Sequence, residues 1–121
     1  MLSGNSRLDS GYELTRRLLT GTDRPTAILC GNDRMAVGVY LALAEAGLQV
    51  PQDMSVVGYD DQVDIATRVR PALSTVRLPY YQMGRWAGQQ VVTNSVAALP
   101  GRTFLPCSPV SRQSVTAPRE G

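Results

Sequence analysis

The chain has 121 residues, 43% of them apolar, and twelve basic side chains against ten acidic ones give a net charge of +2. That length suits one compact α/β domain or a piece of a larger one. The basic residues are all arginine, scattered from Arg7 to Arg119 with only Arg16 and Arg17 adjacent, so no positive stripe for nucleic acid is present. Histidine is absent, which leaves serine and cysteine without their ordinary general base, and Cys30 and Cys107 have no metal-ligand spacing. Both cysteines therefore read as free thiols, with no cofactor or metal expected. The start lacks the apolar core of a secretory signal, and no apolar run reaches the roughly 18 residues that span a bilayer. A cytoplasmic location is the expectation.

Ser10-Gly-Tyr-Glu13 has the form of a capping box and predicts a helix running to about Thr20, with Leu14 and Leu18 on one face and Gly21 as its stop. Pro25 introduces the branched apolar run Thr26–Cys30, a buried strand that ends at Gly31-Asn32-Asp33. Asp33 fits the N-cap of a second helix, about Arg34 to Ala46, closed by Gly47. This helix is apolar nearly all round and needs cover on more than one side. A second subunit is the expected cover, meeting it at Val37, Tyr40, Leu41 and Ala44, with Tyr12 and the Arg68–Val69 loop nearby.

A second buried strand, Met54–Tyr59, stops at Asp60-Asp61, and a short helix follows near Val63–Thr67, with Asp61 as its cap. Leu73–Leu78 reads as a third strand. Pro79 then opens a helix to about Thr93, with Tyr80, Met83, Gly84, Ala87 and Val91 in a packing stripe. The proline-broken stretch from Phe104 to Val110 can supply only edge or crossover strands, and the last few residues read as a frayed tail.

Alternating strands and helices predict an α/β fold, a parallel sheet with helices on both faces, and such sheets bind ligands outside the carboxyl ends of their strands. Asn32 and Asp60 both stand at those ends and are the candidate ligand-binding residues. Adjacent carboxylates at Asp60-Asp61 also suit a divalent cation, but a third carboxylate at a matching strand end and a phosphate-binding lysine are missing.

The string Pro25-Thr-Ala-Ile-Leu-Cys-Gly-Asn-Asp-Arg-Met-Ala-Val-Gly38 resembles the LacI-family segment in which a strand ends at Asn-Asp and a Met-Ala-hydrophobic-Gly helix follows. Glu45–Asp61 is similar to that family's passage into its Gly-Tyr/Phe-Asp-Asp motif, and Pro71–Pro79 with Met83-Gly84 to its Pro-x-Leu-Thr-Thr-Val stretch. The likeness runs from Ser10 to about Ser114. It implies a partial type I periplasmic-binding-protein-like fold, with residues 1–73 in the C-terminal lobe, 74–98 a crossover strand and helix that pack on the N-terminal lobe, and 99–121 a return crossover and tail. It also implies a non-enzymatic regulator in which Asn32 and Asp60 bond a small effector, a sugar or nucleobase, and binding shifts a homodimer between states that hold or release operator DNA. The helix-turn-helix headpiece and N-terminal lobe of family members have no counterpart in these residues, and Ser6 stands where many members carry an aromatic. A periplasmic sugar-binding protein for uptake is the alternative, and a carboxylate-metal hydrolase or phosphotransferase the third reading.

Overall fold

The computed structural model describes residues 1–93 and 101–118. The first helix, α1 (Leu8–Leu19), begins two residues before the predicted capping box. Ser10 lies inside it, and its hydroxyl accepts instead from the Asn5 amide at 3.1 Å, while Asn5 Oδ1 accepts from the Arg7 amide at 3.1 Å. The entry to α1 is thus ordered by a polar knot ahead of the helix, a contact that a spacing rule for Ser-x-x-Glu does not consider.

Strand β1 (Ala27–Leu29) leads into α2 (Asp33–Glu45), whose cap is Asn32 rather than Asp33: Asn32 Oδ1 accepts from the Met35 amide at 2.8 Å. Helices α1 and α2 meet backbone to backbone. A Cβ on Gly11 would fall 2.2 Å from the Met35 carbonyl oxygen, and one on Gly38 would fall 2.1 Å from that of Leu8, so only glycine permits this approach. The second cover that the apolar α2 needs is therefore supplied in part by α1. Its other face buries Ala36, Val39 and Leu43 in a core with Cys30, Met54, Val56, Ala66 and Leu73.

Strand β2 (Ser55–Val57) pairs parallel with β1, Ile28 opposite Val56. β1 is not the buried strand expected: Leu29 is 74% exposed, because β1 is the edge of the described sheet. After α3 (Val63–Ala66), strand β3 (Thr75–Arg77) joins β2 in parallel through Val57–Ser74 and Asp60–Arg77 bridges. Helix α4 (Tyr80–Val92) follows, and β4 (Ser108–Val110) runs antiparallel to β3 in a two-stranded pair. α4 buries none of its residues, leaving Tyr80, Tyr81, Met83 and Val91 in the open. Residues 94–100 and 119–121 lie outside the described residues, so the expected boundary between segments 74–98 and 99–121, and the end of the tail, fall there.

Past β4 the chain threads back to β2. Ser114, wholly buried, accepts at its carbonyl from the Val56 amide, donates its hydroxyl to the Val56 carbonyl, and accepts at that hydroxyl from the Ser74 amide. The Thr116 amide donates to Ser55 Oγ at 3.1 Å.

Candidate functional site

The carboxyl ends of β1 and β2 are joined through the backbone. The Cys30 amide donates to the Val57 carbonyl at 2.8 Å, and the Asp33 amide to that of Tyr59 at 2.9 Å. Both candidate ligand residues lie on this joined edge. Asn32 is already engaged at both ends of its amide: besides capping α2, its Nδ2 donates to the Ser6 carbonyl at 2.9 Å. One Nδ2 hydrogen remains for another acceptor. Asp60 holds its backbone to β3, its amide donating to the Val76 carbonyl at 2.9 Å, and its carboxylate accepts from Gln62 Nε2 at 3.2 Å.

Three carboxylates share this edge in three different states. Asp61, predicted to cap α3, instead accepts from Arg77 Nε at 2.6 Å and from Arg112 Nη2 at 2.7 Å, one arginine on each oxygen; Gln62 occupies the cap position without a side-chain capping bond. Burial opposes ionisation of Asp61, but the hydrogen bonds and charges of the two arginines outweigh it and hold the carboxyl below the usual carboxylate range. This geometry leaves no second carboxylate beside Asp60 for a shared cation. Asp33 is fully buried, and accepts from Thr75 Oγ1 and from the Gln62 amide, both at 2.7 Å. Burial dominates here and pushes its carboxyl above the usual range, with the hydrogen bonds opposing. Asp60 alone of the three is partly exposed and has spare acceptor capacity.

Tyr80, at the start of α4, faces the same region. Desolvation, then the charges of Asp60 and Asp33, raise its phenol. The sequence reading missed Asp33, Thr75, Arg77 and Arg112 as site-forming residues. Their partners lie 16 to 51 positions away, and no local pattern announces them.

The residues expected at a subunit interface lie on one side of the helix pair. Leu41 is half-exposed and Ala44 exposed, whereas Val37, Tyr40 and Val69 are partly buried. The Tyr40 hydroxyl donates to the Pro71 carbonyl at 2.9 Å, and Tyr12 donates to Glu45, which raises the Tyr12 phenol. Exposed Arg68 pairs with Asp64 at 3.3 Å. A shallow groove of about 440 Å³ between α1 and α2 is lined by Tyr12, Arg16, Leu19, Ala42, Glu45 and Ala46, and does not include Asn32 or Asp60.

Parallel strands whose carboxyl ends carry Asn32, Asp60 and an arginine-held Asp61, with helices packed beside them, define an α/β protein with a candidate ligand-binding edge. The family model described as "Periplasmic binding protein-like domain" matches residues 2–115. The chain belongs to this family, and its matches are LacI-type repressors across their effector-binding region. It is 44% identical over 86 residues to the ribose operon repressor of Escherichia coli (strain K12), covering 71% of this chain and 26% of that protein. It is 38% identical over 117 residues to the HTH-type transcriptional repressor PurR of Yersinia pestis bv. Antiqua (strain Antiqua), covering 95% of this chain and 34% of that one. Among solved structures, a dimeric Lac repressor with an 11-residue C-terminal deletion superposes with a TM-score of 0.86 at 36% identity, over 96% of this chain and 43% of that chain. A LacI family transcriptional regulator from Enterococcus faecium with bound ribose gives 0.78 at 28% identity, over 98% and 44%. The chain therefore spans between about a quarter and somewhat under half of these relatives.

Proposed function

We propose that this chain is the effector-sensing and dimerisation region of a LacI-type transcription regulator, and that it binds a sugar or nucleobase-like molecule against Asn32 and Asp60. The observation that carries this reading is the state of Asp60: a partly exposed carboxylate on a locked backbone, beside two carboxylates already committed to the frame. A carboxylate with free lone pairs suits the adjacent hydroxyls of a sugar. The ribose-bound relative from Enterococcus faecium supports that ligand class.

The uncovered stripe of α4 is the surface on which a second lobe packs, in keeping with the greater length of the relatives. Homodimerisation uses Val37, Tyr40, Leu41 and Ala44, with Tyr12, Arg68 and Val69 at the margin; the dimeric Lac repressor supports it. Operator contact is made by a headpiece outside these 121 residues, since the chain carries no basic stripe of its own. The protein works in the cytoplasm and is not an enzyme, a reading supported by the repressors it resembles.

Titration of the 15N-labelled chain with D-ribose and with a free nucleobase tests the ligand assignment. Weak, saturable shifts at residues 31–33 and 59–62 are expected for one ligand class, and their loss in Asp60→Ala. Saturable binding that Asp60→Ala leaves unchanged overturns the assignment of the site.

A further inference from the structure

We infer that Asp33 is a positioning residue, whose backbone and side chain together hold the Asp60–Asp61 dipeptide in its left-handed shape and so fix where the Asp60 carboxylate stands. The dipeptide is unusual: φ is +112° at Asp60 and +55° at Asp61, and neither is glycine. Such conformations persist only where the surroundings over-determine them.

Asp33 supplies that constraint by bracketing the pair. Its amide donates to the carbonyl of Tyr59, the residue before the dipeptide, and its Oδ2 accepts from the amide of Gln62, the residue after it. Its Oδ1 is pinned by Thr75 of β3, so the bracket is anchored to a third strand. Gly58 makes room for it: a Cβ there would lie 2.1 Å from Asp33 Oδ1. Within the bracket Asp61 is drawn to Arg77 and Arg112, and the Asp60 carboxylate is left for other partners. Asp33 itself is fully buried, so its influence on a ligand would pass through Asp60.

The link to ligand binding rests on the function proposed above, whereas the effect on the loop does not, and the experiment separates them. Amide hydrogen exchange and chemical shifts of residues 58–62 are compared in the parent chain, Asp33→Ala, Asp33→Asn and the core variant Leu73→Ala. In Asp33→Ala the Gln62 amide should exchange about tenfold faster or more than in Leu73→Ala, with displaced shifts at Asp60 and Asp61. Asp33→Asn, which keeps an acceptor for Gln62, should restore both. Should Asp33→Ala fail to fold, Thr75→Val, which removes the donor on Oδ1 alone, should move the same resonances in the same direction.

D-ribose titration of the same set with Asp60→Ala is the second arm, in which Asp33→Ala should weaken binding as Asp60→Ala does and Asp33→Asn should not. Unchanged exchange and shifts at residues 60–62 in Asp33→Ala, or in Thr75→Val where that is the folded variant, overturn the positioning role. A loop that moves as expected while Asp60→Ala binds ribose like the parent upholds the positioning role and removes the ligand reading alone.

Discussion

Arg112 and Asp61 meet at 2.7 Å although 51 positions separate them, and the Arg112 Nη1 also donates to the Leu73 carbonyl at 2.8 Å. This arginine ties the segment after β4 to the loop that follows β2 and to the entry of β3.

The two arginines on Asp61 should not count equally. The Arg112 side chain is 15% exposed and that of Arg77 58%, while Asp61 is 1% exposed. Removing a buried partner strands a buried charge, so Arg112→Ala should cost about 2–4 kcal/mol. Arg77→Ala, whose bond is screened by water, should cost about 0.5–1 kcal/mol. Urea unfolding of the two variants checks the order; equal losses contradict it.

The carboxylates Asp61 and Asp33 should give opposite pH dependences. Asp61 has a lowered pKa in the fold, so its stabilisation is present above the ordinary 3.8 and is lost as pH falls through the lowered value. Asp33 has a raised pKa, so its contribution is full below 3.8 and is lost as pH rises through the raised value. Asp61→Asn should therefore flatten the acid-side loss of stability. Asp33→Asn should remove a loss that develops above pH 3.8 and be neutral or stabilising at pH 7, as read by denaturant midpoints across that range.

The Gly38 approach sets a steric limit on the helix pair. In Gly38→Ala the new methyl would meet the Leu8 carbonyl and, at 2.6 Å, the Tyr12 amide nitrogen, both backbone atoms that cannot swing aside. A loss of about 1–3 kcal/mol is expected, visible as a lowered Tm. Gly84→Ala, at a glycine with open space around it, should by comparison be harmless or slightly stabilising, because alanine is the better helix former.

Leu41, half-exposed beside exposed Ala44, tests the interface. Leu41→Glu should shift the chain toward monomer in sedimentation velocity. A sedimentation profile matching that of the parent removes this face as the dimer contact.

What the sequence disclosed was local. The strands before Asn32 and Asp60, and the helices after them, follow from apolar runs, glycine stops and prolines, and their strand-end positions led to both candidate residues. Asp33 has the makings of a cap because aspartate often caps, yet Asn32 takes that bond and Asp33 turns inward to Thr75 and Gln62. Both residue types cap well, so only tertiary partners decide between them. Likewise β1 has the composition of a buried strand but sits at an edge, since composition records apolar character and not the neighbour available to cover it. Asp61 next to a short helix looks like a cap until two distant arginines are brought to it.

The Ser114 seam has a consequence for synthesis on the ribosome. Its hydrogen bonds to Val56 and the Thr116 bonds to Ser55 span 58 and 61 positions. The strand pair of β1 and β2 can form as soon as it emerges, but the amide and carbonyl of Val56 stay unpaired until Ser114 has left the exit tunnel. At about 5–20 residues per second the nascent chain passes several seconds with that strand edge uncovered. Throughout that interval it is open to pairing with another chain.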